Sequence, residues 1–176
     1  MALRGRRGVG VLPVRGRLLA IPLLAALLPG CRTSFLNFDP ESSAGALAGG
    51  WSGFERTPEG DTFVWAKARE ARLSVEDRGD GDRLLRFRCW PFRWGGAAPQ
   101  TLNLFLNDAR IATLTLQDGP RVYSVPTPQA AWRRGANEIR LQFGYAEAPR
   151  DRVPGSGDSR TLAAAFDWLE IVPPPK

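Results

Sequence analysis

"RLLRFRCWPF", residues 83 to 92, decides the fold. Leu85, Phe87 and Cys89 fall at every second position, and Arg86, Arg88 and Trp90 alternate with them. Successive side chains of a strand point to opposite faces, so this spacing predicts a strand with one face in a core and the other toward water. A helix needs apolar residues three and four apart, and no segment shows that period convincingly. The stretch 65–73, with alanines between charges, comes nearest, but Val64 and Trp65 at its start favour strand.

Similar runs lie on either side, separated by turn residues. "TFVWA" (62–66) and "ARLSVE" (71–76) precede it. "TLNLFLNDARIATLTLQ" (101–117) reads as a hairpin turning at Asn107-Asp108. "RVYSVPT" (121–127) follows the turn Asp118-Gly119-Pro120. "NEIRLQFGY" (137–145) puts Ile139, Leu141 and Phe143 inward, and "TLAAAFDWLEIV" (161–172), apolar on both faces, suits a central strand. About eight short strands predict an all-β protein, an antiparallel sandwich or jelly roll. The loop 146–159, rich in Pro, Gly and charge, is the longest break: a functional loop or a solvent-exposed crossover.

The chain is segmented. Residues 1–17 carry five arginines and no acid, and the uncharged run Leu18 to Leu28 follows. That run is shorter than the roughly 20 residues a membrane span needs, so 1–30 reads as an export signal. "LLPGC" ends at Cys31 and resembles the lipobox of bacterial lipoproteins, in which the cysteine becomes lipidated; Pro29 departs from that pattern. Arg6-Arg7 hints at twin-arginine export, but "RRGVGVL" is a poor example of that motif, and the pair is read as part of the arginine-rich head. Residues 31–50 read as a lipidated cysteine with a tether or edge strand, in which Phe35, Leu36 and Phe38 are the apolar positions. The sandwich is expected over 51–172, with 173–176 as a tail.

Of the 24 basic residues only 19 follow residue 30, against 18 acids, so the mature charge is close to neutral. The basic balance belongs to the leader, and nucleic acid is not an expected partner. With Cys31 lipidated, Cys89 has no disulfide partner, and its inward phase makes it a small core residue.

Histidine is absent, which removes Ser-His-Asp and Cys-His catalysis and every histidine metal site. Asp77, Asp80 and Asp82 sit on a turn, but their spacing fails the calcium-loop pattern and Arg78 and Arg83 flank them. No metal or cofactor is expected. Glu55, Glu59 and Asp61 near Trp51 are the residue types of a glycoside hydrolase, yet short loops offer little cleft for one. Flat aromatic rings beside polar side chains suit sugars. Trp90 and Trp94, with Arg86, Arg88 and Arg93, form the candidate glycan or anion patch; the alternative is two rings under a loop beside solvated arginines. Trp65 and Trp168 are expected in the core, and Trp132 as a turn anchor.

"GGWSGFE" (49–55) and "GSGDSR" (155–160) open and close the sandwich, and chain ends of a domain commonly meet. We expect Glu55 and Arg160 to form a charge-assisted pair with Trp51 packed over the junction, and Gly49, Gly50 and Gly53 to allow close passage. This constellation is a structural clasp or, alternatively, a ligand site.

Taken as an ordered set, "GGWSGFE", "FVWA", "LNDARIATLTL", "RRGANEIRLQF" and "GSGDSRTLAAAFDWLEI" resemble an accessory galactose-binding-like jelly roll. Such domains are appended to bacterial sulfatases and glycosyltransferases, and the likeness covers roughly residues 45–172. It implies a non-catalytic sandwich in a carbohydrate setting, and we expect it here without an attached enzyme domain. The expectation is an exported, monomeric lipoprotein of the bacterial cell envelope, held to the membrane by lipid on Cys31 and binding glycan or an envelope protein. A purely structural envelope component is the alternative, and a small glycan hydrolase the least favoured reading.

Overall fold

The computed structural model describes residues 34–77 and 81–175, and of Asp77 the backbone alone. The expected leader, the expected lipidation site Cys31, and much of the Asp77–Asp82 turn lie outside the described residues. Eleven strands are described: β1 (Ser34–Asn37), β2 (Leu47–Gly49), β3 (Trp51–Arg56), β4 (Thr62–Ala66), β5 (Glu70–Asp77), β6 (Arg83–Pro91), β7 (Gln100–Leu106), β8 (Ala109–Leu116), β9 (Arg121–Thr127), β10 (Gly135–Phe143) and β11 (Ala164–Val172). Two short helices, α1 (Pro40–Ser43) and α2 (Pro149–Arg152), lie outside the sheets. The first sheet runs β3-β4-β11-β6-β9, the second β2-β5-β10-β7-β8, and every pairing is antiparallel. The all-β sandwich is as expected, with eleven strands in place of about eight. The extra three are β1, which lies where 31–50 offered an edge strand as the alternative to a tether, and β2 and β3, in a Gly-rich stretch where alternation is hard to see.

β6 alternates buried and half-buried along its length, as its spacing predicts. It lies between β11 and β9. β11 is central: β4 pairs with Ala164–Phe166, and β1 pairs with Trp168–Ile171 on the same side, end to end with β4. A bulge at Asp167 separates the two halves of β11. Such an extra residue kinks a strand and re-aims its side chains.

The inner faces meet in one core. Phe166, fully buried, touches Phe38, Trp51, Phe87 and Phe143 at ring centroid distances of 5.6–6.3 Å. Phe38 follows β1 directly and is also fully buried, so the chain after Ser34 belongs to the sandwich. Asp39 then starts α1, its Oδ1 accepting from the backbone N–H of Glu41 (2.9 Å) and Ser42 (2.7 Å). The Ser42 amide holds that carboxyl below its ordinary range. Cys89 faces inward, and burial pushes its thiol well up, which removes it as a nucleophile.

Left-handed backbone sets one hairpin turn and one crossing between the sheets. Asn107 adopts φ 54° between β7 and β8, a left-handed conformation that asparagine tolerates. At Gly50 (φ 81°) a Cβ would stand 2.2 Å from the carbonyl oxygen of Glu70, so only glycine lets β3 enter beside β5.

Candidate functional site

The two outer faces differ in chemistry. That of the second sheet carries Glu70, Arg72, Glu138 and Arg140, joined by ion pairs of 2.6–3.5 Å. That of the first sheet carries aromatic rings. Ala165 on β11 is the cross-strand partner of Trp65 on β4 and of Trp90 on β6. It is fully buried, and the two half-buried indoles meet edge to face, 6.5 Å apart. Residues opposite one another on neighbouring strands share a face, and a methyl between two tryptophans leaves both rings room to close over it. Phe63 shares the face, 5.3 Å from Trp90 and 6.2 Å from Trp65. The band continues through Phe92, 6.4 Å from Trp65, to Trp94 and Tyr145.

Polar groups border this floor on two sides. Glu55 is the cross-strand partner of Phe63 at the β3 edge. Arg160 reaches it from the long loop, Nη1 donating to Glu55 Oε1 at 2.6 Å. Arg160 also donates to Asp158 from Nη2 (2.7 Å) and Nε (3.0 Å), which holds the Asp158 carboxyl down to about 2. Further along β6, Arg88 pairs with Asp167 at 2.8 Å, with Asp61 4.0 Å away. The Asp167 side chain is only 6% exposed, and its Oδ1 has no hydrogen-bond partner. Burial raises its pKa, and Arg88 offsets part of that. Asp167, Asp61 and Arg88 line a cleft of about 480 Å³ together with Asn37, Asp39, Glu41, Arg56 and Trp168. Among the described residues no group of three or more acids and cysteines is placed to hold a metal ion.

The residues singled out from sequence distribute as follows. Trp90 is on the outer face, as its phase predicts. Trp94 does not meet it directly; Trp65 and Phe92 connect the two, while Trp94 packs on Phe92 and Tyr145 with the Arg152 guanidinium 5.2 Å from its ring. The arginines do not form one patch. Arg86 pairs with Glu170 (2.6 Å) and Arg88 with Asp167, each across to β11. Arg93 bonds the Ala98 carbonyl (2.5 Å) and pairs with Asp118 (3.0 Å).

The structure brings Glu55 and Arg160 together, but it corrects the rest of the clasp. Trp51 is a core residue; its Nε1–H donates to the Arg72 carbonyl (2.7 Å) and its ring packs on Phe38 and Phe166. Trp51 and Glu55 sit on opposite faces because a bulge between Trp51 and Phe54 reverses the phase of β3. Of the three glycines only Gly50 is tight, and against β5; Gly49 and Gly53 face open space. Trp65 and Trp168, expected in the core, are half-buried on the outer face. Trp132 closes the turn at Gln129–Ala131, its Nε1–H donating to Thr127 Oγ1 at 3.0 Å. Phe63 and Ala165 were not singled out. The signal for Phe63 was the alternation in "TFVWA", which puts Phe63 and Trp65 opposite the buried Val64, whereas the place of Ala165 depends on the pairing of β11 with β4 and β6.

No protein-family model matches the chain, and no curated protein matches it. Solved structures do. The C-terminal CBM6 domain of a marine laminarinase from Zobellia galactanivorans aligns with a TM-score of 0.51 at 12% identity, covering 81% of this chain and all of that one. A family 35 carbohydrate binding module from Clostridium thermocellum aligns with a TM-score of 0.51 at 13% identity, covering 80% of this chain and 97% of that one. At such identity the likeness shows the fold: a jelly roll of the kind carbohydrate-binding modules have. Neither neighbour is described as part of a sulfatase or glycosyltransferase.

Proposed function

We propose that this protein is a non-catalytic glycan-binding β-sandwich. The observation that carries the reading is the floor of Phe63, Trp65 and Trp90 around Ala165, bordered by Glu55–Arg160 on one side and Arg88–Asp167 on the other. Apolar faces of sugar rings stack on such a floor, and hydroxyl groups exchange hydrogen bonds with the carboxylates and guanidinium groups beside it. The ion pairs hold these groups in place, so little side-chain freedom is lost on binding. The jelly-roll likeness to carbohydrate-binding modules supports the reading at the level of the fold. The leader and Cys31 support a setting in the bacterial cell envelope, with lipid on Cys31 as the anchor.

Affinity gel electrophoresis against a panel of neutral, uronate-bearing and sulfated polysaccharides tests it. Retardation by at least one polymer, abolished by Trp90→Ala and by Trp65→Ala in folded protein, is the expected result. Retardation unchanged by both substitutions would place the ligand elsewhere. No retardation by any polymer, with an envelope protein recovered by cross-linking, would favour a structural role.

A further inference from the structure

The same outer face carries a second aromatic pair. Phe35 on β1 is 61% exposed, among the most exposed large apolar side chains described. Its ring stacks on Trp168 of β11 at 6.2 Å with an interplanar angle of 30°. β1 lies end to end with β4 along β11, so Phe35 and Trp168 continue the face that Phe63 and Trp65 begin. Burial does not explain an exposed ring held against an indole at an edge strand.

Its place follows from the register. Phe35 opposes Glu170, and Glu170 opposes Arg86. Trp90 and Arg86 are four residues apart on β6, about 13 Å at roughly 3.3 Å per residue. Between the two aromatic clusters lies the cleft of Arg88, Asp61 and Asp167, with Trp168 on its far wall. An apolar floor, a polar cleft and a second apolar pair therefore follow one another along the β11 axis. The distance exceeds the length of one sugar ring.

We infer that the ligand is an extended glycan chain of at least three sugar residues, lying along β11, with Phe35 and Trp168 as a second stacking position. This rests on the glycan-binding reading above. The cleft also selects. Four carboxylates (Asp39, Glu41, Asp61 and Asp167) face two guanidinium groups (Arg56 and Arg88). The excess negative charge disfavours uronate and sulfated chains and suits neutral ones, whose hydroxyls can donate to carboxylate oxygens.

Titration calorimetry with neutral β-linked oligosaccharides of glucose, xylose and mannose, one to six residues long, tests the inference. The affinity of a bound series should rise at least tenfold between the disaccharide and the tetrasaccharide. Phe35→Ala should bring the tetrasaccharide down to the disaccharide value, and the exposed position keeps the fold out of the comparison. Affinity independent of chain length, or a Phe35→Ala protein that keeps the full increment, would overturn it while leaving glycan binding standing. Phe35→Ala that weakens partition onto phospholipid vesicles but leaves the length dependence intact would also overturn it, reassigning the ring to the membrane surface. Binding of no oligosaccharide or polymer by the wild type would remove the glycan reading itself.

Discussion

Trp65 and Trp90 face each other across Ala165, each its cross-strand partner, and their rings meet edge to face at 6.5 Å. The small residue is what permits this. Ala165→Leu inserts a branched side chain between the two indoles. Overpacking of this kind costs about 1–3 kcal/mol. Thermal unfolding should show that loss, and polysaccharide retardation should disappear at temperatures where the variant is folded. Full retention of binding would mean that the floor is not the site.

The two sides of the first sheet should respond differently to truncation. Phe166→Ala removes the ring at the centre of the core and should cost about 3–5 kcal/mol, read by denaturant unfolding. Phe63→Ala, on the half-buried outer face, should cost less than half of that while weakening glycan binding. Equal stability losses would show that Phe63 serves packing alone.

Glu55 and Arg160 join the β3 edge to the loop before β11. Their side chains are 32% and 46% exposed, so solvent screens the pair. Its coupling should be below about 1 kcal/mol in a double-mutant cycle of Glu55→Gln with Arg160→Met. A coupling of several kcal/mol would assign the pair a larger part in stability than its exposure allows.

Asp158 reports the same junction through pH. Its folded pKa lies at about 2 against an ordinary 3.8, because Arg160 bonds the ionised form. A depressed carboxyl contributes stability that is present above the unfolded pKa and lost as pH falls through the folded one. The difference in melting temperature between wild type and Asp158→Asn should therefore shrink as pH drops from about 4 to about 2. Carboxyl titration by NMR should return Asp158 toward its ordinary value in Arg160→Met. Asp167 should titrate in the opposite sense, above its ordinary value, because it is buried.

Much of the fold was legible because alternation is strong where strands are long. β4, β6 and β9 follow from runs such as "TFVWA", "RLLRFRCWPF" and "RVYSVPT", and the apolar two-faced run near the C-terminus is the central strand β11. The N-terminal strands were harder. β2 has three residues, and β3 carries a bulge and Gly53, so neither shows a clean period. The same bulge explains why Trp51 was misplaced: adding one residue reverses inside and outside for everything beyond it. The site was legible only in part. Trp90 and the pairing of Glu55 with Arg160 could be read from phase and from the meeting of chain ends. That Trp65 stands beside Trp90 depends on β11 lying between β4 and β6, a long-range register that no local pattern encodes. The destination of each arginine depends likewise on which carboxylate β11 presents.

The most direct test uses the six tryptophans as internal reporters. In an NMR titration of the indole Nε1–H signals with a bound oligosaccharide, Trp65 and Trp90 should shift with ligand. Trp51, bonded to the Arg72 carbonyl in the core, and Trp132, bonded to Thr127 beside the Gln129–Ala131 turn, should stay in place. Saturable shifts of Trp65 and Trp90 at the affinity found by calorimetry are the predicted result. Saturable binding that leaves both signals unmoved would contradict the assignment of this face as the glycan site.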